Sequence, residues 1–197
     1  MRSPPAIGDL KAATALIECG GIRGTGYLLQ PDCVFTCYHV IQTALPDGCV
    51  SVRFVHGEYQ ARVVLVDAEN DCAVLRLAKP VGNVSPLRLA TGAGPRGRKW
   101  ESYGFPAATF SSGLLISGEV QDGDGENLRN RPALLLHSQN VTAGALMQGF
   151  SGSPVVADGL VIGQLQQIVP DERSGAQFGV LYATPALVLS RLLPTYG

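Results

Sequence analysis

The apolar positions fall in short runs, broken every few residues by Gly, Pro, Asp or Asn. Residues 13–18, 24–30, 33–36, 50–54, 60–67 and 72–77 are enriched in Val, Ile, Leu and Phe, and each is predicted to be a β-strand. Six such strands are enough to close a small barrel. Residues 43–45 fit a single helical turn. After residue 100 the pattern repeats, with strands predicted at 100–104, 114–121, 133–138, 154–157, 160–168 and 178–184. Residues 122–130 are polar and glycine-rich and are predicted to form an exposed, mobile loop. Residues 185–193 place apolar side chains at Ala186, Leu187, Leu189, Leu192 and Leu193, a spacing that predicts a short closing helix. The chain is thus expected to be all-β, with one half at 12–90, a linker at 91–99 and a second half at 100–194. The linker contains Gly92-Ala93-Gly94-Pro95-Arg96-Gly97, which spells GxGxxG. A dinucleotide site needs a helix after those letters, and here a strand is predicted.

Composition narrows the function classes. A chain of 197 residues can bury an ample core as one large domain or two small packed ones. A net charge of −1 gives no electrostatic reason to expect nucleic acid or an anionic membrane as partner. Residues 1–10 lack the apolar core of a signal peptide, and no stretch approaches the ~18 apolar residues of a membrane span. The five cysteines, Cys19, Cys33, Cys37, Cys49 and Cys72, are odd in number, which points to reduced thiols and a cytoplasmic protein. Cys33 and Cys37 flank strand residues rather than a zinc knuckle, so buried apolar thiols are expected, with no metal and no cofactor. Cys37 lies two residues before His39, which makes inactivation by thiol reagents plausible on steric grounds.

The candidate chemistry centres on Gly149-Phe150-Ser151-Gly152-Ser153-Pro154. Alone it reads equally well as a Gly/Ser/Pro turn between strands. If Ser151 is a nucleophile, the N–H groups of Gly149 and Ser151 can converge on a developing oxyanion. A hydroxyl needs a base to remove its proton, and the base needs a third group to hold its tautomer. The chain has three histidines, His39, His56 and His137, and none follows Ser151. That order excludes an α/β-hydrolase, whose histidine comes after its serine. His39 ends an apolar strand at Thr36-Cys37-Tyr38-His39, and Asp71 opens the run Asp71-Cys72-Ala73-Val74-Leu75. The order His39, Asp71, Ser151 is therefore available. Asp67 is a competing carboxylate that reads as a turn residue, and Asp71 itself could be a strand-start cap. His56 belongs to a surface turn. His137, inside a predicted strand, reads as a satisfied core or rim residue.

Gly24-Thr25-Gly26-Tyr27, Thr36-Cys37-Tyr38-His39-Val40, Asp71-Cys72-Ala73-Val74-Leu75, Gly104-Phe105-Pro106, the Ser151 hexapeptide and Phe178-Gly179-Val180-Leu181 together resemble the trypsin-like, chymotrypsin-fold serine proteases. The bacterial HtrA/Deg-like branch, here without a PDZ domain, is the most similar. The resemblance implies two packed six-stranded antiparallel β-barrels with a cleft between them. It implies a serine endopeptidase in which His39 is the general base, Asp71 its orienting partner and Ser151 the nucleophile. It places the first specificity pocket at Ala145, Leu146, Gln166, Gln167, Gly179 and Leu181. None of these is acidic, so a small or medium apolar residue is expected before the scissile bond. Secreted zymogens of this type carry an aspartate just before the serine, paired with a newly cut N-terminus. This chain has Phe150 there, which disfavours that activation route. The expected partner is a protein or peptide substrate, with a dedicated partner protein or fused regulatory domain as a further option. Two alternatives remain open at this level: a catalytically silent binding module, and an effector module of a larger bacterial defence or signalling system.

Overall fold

The computed structural model describes residues 7–46, 48–92, 94–109, 111–127, 129–138, 148–166 and 179–193. Two closed antiparallel barrels of six strands each make up the protein. The first contains β1 (Thr14–Cys19), β2 (Ile22–Gln30), β3 (Cys33–Thr36), β4 (Cys49–Phe54), β5 (Gly57–Asp67) and β6 (Cys72–Leu77), in the order β1-β2-β3-β6-β5-β4. The second contains β7 (Lys99–Gly104), β8 (Leu114–Glu126), β9 (Pro132–His137), β10 (Pro154–Ala157), β11 (Leu160–Leu165) and β12 (Val180–Pro185), in the order β10-β11-β12-β9-β8-β7. This is the chymotrypsin-like architecture. Closure gives each of these strands a neighbour on both sides.

Short helices fill the remaining gaps. The helix α1 (Ile7–Ala13) precedes β1 and seats Leu10 and Ala13 in the core. A one-turn helix α2 (Tyr38–Ile41) follows β3 and runs into a 3-10 turn at Gln42–Ala44. The closing helix α3 (Ala186–Ser190) starts after Pro185. It buries Ala186, Val188 and Leu189, while Leu187 is 58% exposed rather than packed. A helix this short has a narrow buried face, and Leu187 lies off it.

The largest departure from the pattern-based reading is at residues 122–126. There β8 continues as a strand and pairs with β9 through Gly125↔Ala133 and Glu126↔Pro132. Polar, glycine-rich composition predicts a loop. Pairing with a neighbouring strand supplies the backbone bonds all the same, and two register shifts absorb the irregularity. The described residues of the GxGxxG letters, 92 and 94–97, form a bend, coil and turn ahead of β7, with no helix among them.

The apolar core of the first barrel continues across the seam. Tyr103, Phe105, Val156, Val161 and Leu189 from the second half pack in one cluster with Tyr27, Phe35 and Leu75. The crossing segment is tied to both sides: Leu87 N–H donates to Leu28 O, and Ala90 N–H to Val161 O. Among the described residues, no helix is long and apolar enough to cross a membrane.

Candidate active site

His39 takes its position from the end of β3. Cys37 is extended and caps α2, and the helix buries Val40 and Ile41 completely. That anchoring leaves His39 on the open side. Asp71 comes from the turn between β5 and β6, where Asp67 and Cys72 are paired residues flanking a four-residue connection. Asp67 shapes this turn: Oδ1 accepts Asn70 N–H at 3.0 Å and Oδ2 accepts Asn70 Nδ2 at 2.6 Å. Asp71 closes it in the left-handed region, at φ +53°. Its carboxylate then meets His39 twice, with Oδ1 accepting the main-chain N–H at 3.0 Å and Oδ2 facing Nδ1 at 2.7 Å. A carboxylate can only accept, so Nδ1 carries the hydrogen and Nε2 is left as the basic nitrogen. The first contact also satisfies one of the orphan donors of α2.

Ser151 lies at the other side of the seam, between Gly149 at φ +97° and Gly152 at φ +90°. Phe150 is buried in the second core and anchors the turn by packing. Gly152 N–H donates to Leu165 O at 2.9 Å, and Ser153 N–H to Phe150 O at 2.9 Å. Among the described residues, neither Gly149 N–H nor Ser151 N–H donates to an acceptor. Among the same residues, no hydrogen bond joins Ser151 Oγ to His39. Such contacts tend to tighten only when substrate is present.

Several polar residues hold these pieces together; of them, sequence reasoning singled out only Gln166, and for the specificity pocket. Gln164, fully buried on β11, donates from Nε2 to Thr36 O at 3.0 Å. Gln166 Nε2 donates to Thr184 Oγ1 at 2.8 Å and to Asn70 O at 3.3 Å, and Thr184 Oγ1 donates to the same carbonyl at 3.1 Å. The Asp71 turn is thus gripped by the second barrel. Thr25, on β2, reaches the Ser151 turn: its N–H donates to Ser151 O at 2.8 Å and its hydroxyl to Gly149 O at 2.7 Å. A threonine between two glycines in an apolar strand was the available signal for that contact. For Gln164 it was a glutamine inside the apolar run of β11.

Cys37, His39 and Asp71 each present one atom within 4.8 Å of the others. Asp71 and His39 already engage each other, and Cys37 Sγ donates to Leu165 O at 3.3 Å. Burial raises the Cys37 thiol well above its ordinary range, helped by the Asp71 charge, so it stays protonated. Cys37 is therefore shielded from thiol reagents, contrary to the sequence-based reading. Cys72 is raised to about 12, again chiefly by burial. All five thiols are free.

A cleft of about 330 Å³ opens beside the His39–Asp71 pair, bordered by Tyr38, Gln42, Glu69, Asn127, Gln166 and Tyr182 among others. Of the expected pocket residues, Gln166 borders this cleft. Leu181 is 1% exposed in the core of the second barrel, and its neighbour Tyr182 faces the cleft instead, as strand alternation requires. Gly179 sits at φ +83°, and a β-carbon there would collide with Ser138 O. Ala145, Leu146 and Gln167 lie outside the described residues. His56 stacks on Phe54 in an exposed hairpin turn, and His137 is half-buried on β9.

A model of the trypsin-like peptidase domain matches residues 24–163, a span that runs from within β2 to within β11 and includes all three candidate catalytic residues. The chain belongs to that family. This trypsin-like peptidase also resembles solved structures along nearly its whole length. It aligns with the inactive form of the Rv3671c protease at TM-score 0.73 and 20% identity, covering 98% of this chain and 96% of that one. With the active form of the M. tuberculosis Rv3671c protease the values are 0.73 and 19%, covering 97% and 87%. With Deg5 they are 0.70 and 21%, covering 93% and 88%. At these identities the likeness speaks for the fold. No curated protein matches the chain in sequence. The family match makes the protein a serine peptidase, a hydrolase acting on peptide bonds.

Proposed function

We propose that the peptidase is an endopeptidase working through His39, Asp71 and Ser151, and that it cleaves a specific protein after a small or medium apolar residue. The observation that carries the reading is the 2.7 Å contact between Asp71 Oδ2 and His39 Nδ1, which leaves Nε2 as a base. His39 Nε2 takes the Ser151 proton as Oγ attacks the substrate carbonyl carbon. The oxygen that becomes negative is met by the N–H groups of Gly149 and Ser151. As the C–N bond breaks, His39 returns the proton to the leaving amine, and an acyl group remains on Ser151. Water, deprotonated by the same nitrogen, then attacks the acyl carbon, and His39 passes the proton to Ser151 Oγ as the Oγ–C bond breaks. Asp71 holds the imidazole and offsets its transient positive charge. The expected pocket residues include no acid, which argues for burial of an apolar side chain rather than ion pairing. Five free thiols support a reducing compartment, consistent with a cytoplasmic location.

The test is labelling of the purified chain with a fluorophosphonate, beside Ser151→Ala and His39→Ala. Labelling of the wild type that is lost in both variants is the expected result. A folded wild type that takes no label would favour the silent binding module, for which the unmade Ser151–His39 hydrogen bond is the supporting observation.

A further inference from the structure

The nucleophile turn owes its shape to groups that lie mostly outside it. Four successive carbonyls each accept a hydrogen bond: Gln148 O from Ala107 N–H at 2.7 Å, Gly149 O from Thr25 Oγ1 at 2.7 Å, Phe150 O from Ser153 N–H at 2.9 Å, and Ser151 O from Thr25 N–H at 2.8 Å. In a trans peptide the C=O and the N–H of one plane point in opposite directions. Holding the carbonyl therefore aims the N–H. The planes that carry Gly149 N–H and Ser151 N–H belong to Gln148 O and Phe150 O. Between them lies the plane of Gly149 O, joined through a glycine at φ +97°. Glycine has almost no preference of its own there. The middle plane needs an outside hold, and Thr25 supplies it.

Thr25 is fully buried and has every polar group engaged. Besides the two bonds to the turn, its carbonyl accepts Thr36 Oγ1–H at 2.7 Å and its hydroxyl oxygen accepts Phe105 N–H at 3.0 Å. With Phe105 N–H on the oxygen, the hydroxyl hydrogen is directed at Gly149 O. Of the four holds on the turn, this is the one made by a side chain, so it can be removed without rerouting the backbone.

We propose that Thr25 is a positioning residue for the oxyanion site: its hydroxyl, set by Phe105, pins the Gly149–Phe150 peptide and keeps the Gly149 and Ser151 N–H groups convergent. The hold uses no charge and no newly cut N-terminus. The side chain of Phe150, where secreted zymogens carry an aspartate, contributes only packing. The assignment rests on Ser151 being the nucleophile.

A fluorophosphonate probe reads the site directly, because its phosphonyl oxygen occupies the oxyanion position as Ser151 attacks. The amplitude of labelling reports the folded fraction, and the rate constant reports the site within that fraction. Thr25→Val keeps the shape and deletes the hydroxyl. It is expected to slow the rate constant about 10- to 100-fold, below the loss typical of deleting an oxyanion donor outright. Thr25→Ser, which keeps the hydroxyl, should stay within about threefold of wild type, on the reasoning that the hydrogen bond and not the methyl does the positioning. Wild-type rate in Thr25→Val, or equal slowing in Thr25→Ser and Thr25→Val, overturns the assignment. Should Thr25→Val not fold, Thr25→Cys replaces it, since a thiol is a weak donor of similar size. Slower labelling than in Thr25→Ser supports the role, and an equal rate overturns it. A folded wild type that takes no label, like Ser151→Ala, overturns the nucleophile reading and this assignment with it. A labelled wild type with an unaffected Thr25→Val overturns this assignment alone.

Discussion

Replacing Asp71 by Asn probes the pair of atoms on which the proposed mechanism turns. Oδ1 accepts the main-chain N–H of His39, and Oδ2 faces Nδ1. A main-chain N–H can only donate, so an asparagine must put its amide oxygen at the Oδ1 position and its NH₂ against Nδ1. Facing a donor, Nδ1 becomes the bare nitrogen and the ring hydrogen moves to Nε2. The nitrogen that should receive the Ser151 proton is then already protonated. Charge adds to the effect. Unit charges 2.7 Å apart interact by about 6 kcal/mol at an effective dielectric of ~20. The two side chains are 28% and 19% exposed, so solvent screens part of this, and about 4–5 kcal/mol remains to support the imidazolium of the transition state. At ~1.4 kcal/mol per tenfold, Asp71→Asn should lower the acylation rate by about 10³- to 10⁴-fold. The assay is the fluorophosphonate rate constant, with hydrolysis of a cleavable peptide beside it. Asp67→Asn is the control. It loses a turn contact, should cost about 0.5–2 kcal/mol of stability, and should leave the rate within about threefold. A loss under tenfold in Asp71→Asn, or equal losses in the two variants, would refute the argument.

Gly152→Ala adds a β-carbon that overlaps Thr25 O and lies 2.8 Å from Thr36 Oγ1, at φ +90°. It should cost at least about 2 kcal/mol and abolish labelling, whereas Gly92→Ala, which meets nothing within 4 Å, should leave Tm unchanged. A maleimide should modify Cys49, the exposed thiol, and spare Cys37, so the native protein takes up about one equivalent and stays active; mass spectrometry showing early modification of Cys37 would contradict its burial. Cys72 is raised to about 12 in the fold, against about 9 as a free thiol. Below pH 9 both states keep the proton and the stability is fully present. Between 9 and 12 only the unfolded chain releases it, so stability falls as pH rises, by up to ~1.4 kcal/mol per pH unit. Urea denaturation from pH 8 to 10.5 should show a shallower decline for Cys72→Ala, and equal slopes would contradict the raised value.

Wherever burial is two-sided and the punctuation strong, the strands were legible. β3, β6 and β10 have the ends that the apolar runs predict, because each is fully or almost fully buried and bounded by turn residues. The helix α1 was not legible. It is one short segment whose support is mainly tertiary, with Leu10 and Ala13 packed in the core; the bond from Thr14 Oγ1 to Leu10 O is its local complement. The outer half of β8 was misread for a related reason, since its pairing partner, not its composition, makes it a strand. In the site, His39, Asp71 and Ser151 stood out because each sits at a break between an apolar run and a turn. Thr25 and Gln164 did not, because their partners are 124 and 128 residues away. A polar residue in an apolar run marks each position as unusual, but it does not name a partner at that distance.

The site is built by exchange across the seam. The first barrel carries His39 and Asp71, yet the Asp71 turn is gripped by Gln166 and Thr184 of the second. The second carries Ser151, yet its turn is gripped by Thr25 of the first. Such hydrogen bonds contribute little net stability, about 1 kcal/mol each, but leaving a buried partner unpaired costs about 1–3 kcal/mol. Adhesion between the barrels therefore comes from the shared apolar cluster that runs from Tyr27 and Phe35 to Phe105 and Val161. Apolar contact is non-directional and would tolerate small rotations of one barrel against the other. The polar grips would not, because rotation strands a carbonyl or a hydroxyl in a dry interior. Apolar burial holds the barrels together, and the hydrogen bonds decide at what angle. In the mechanism proposed above, that angle is what sets His39 against Ser151.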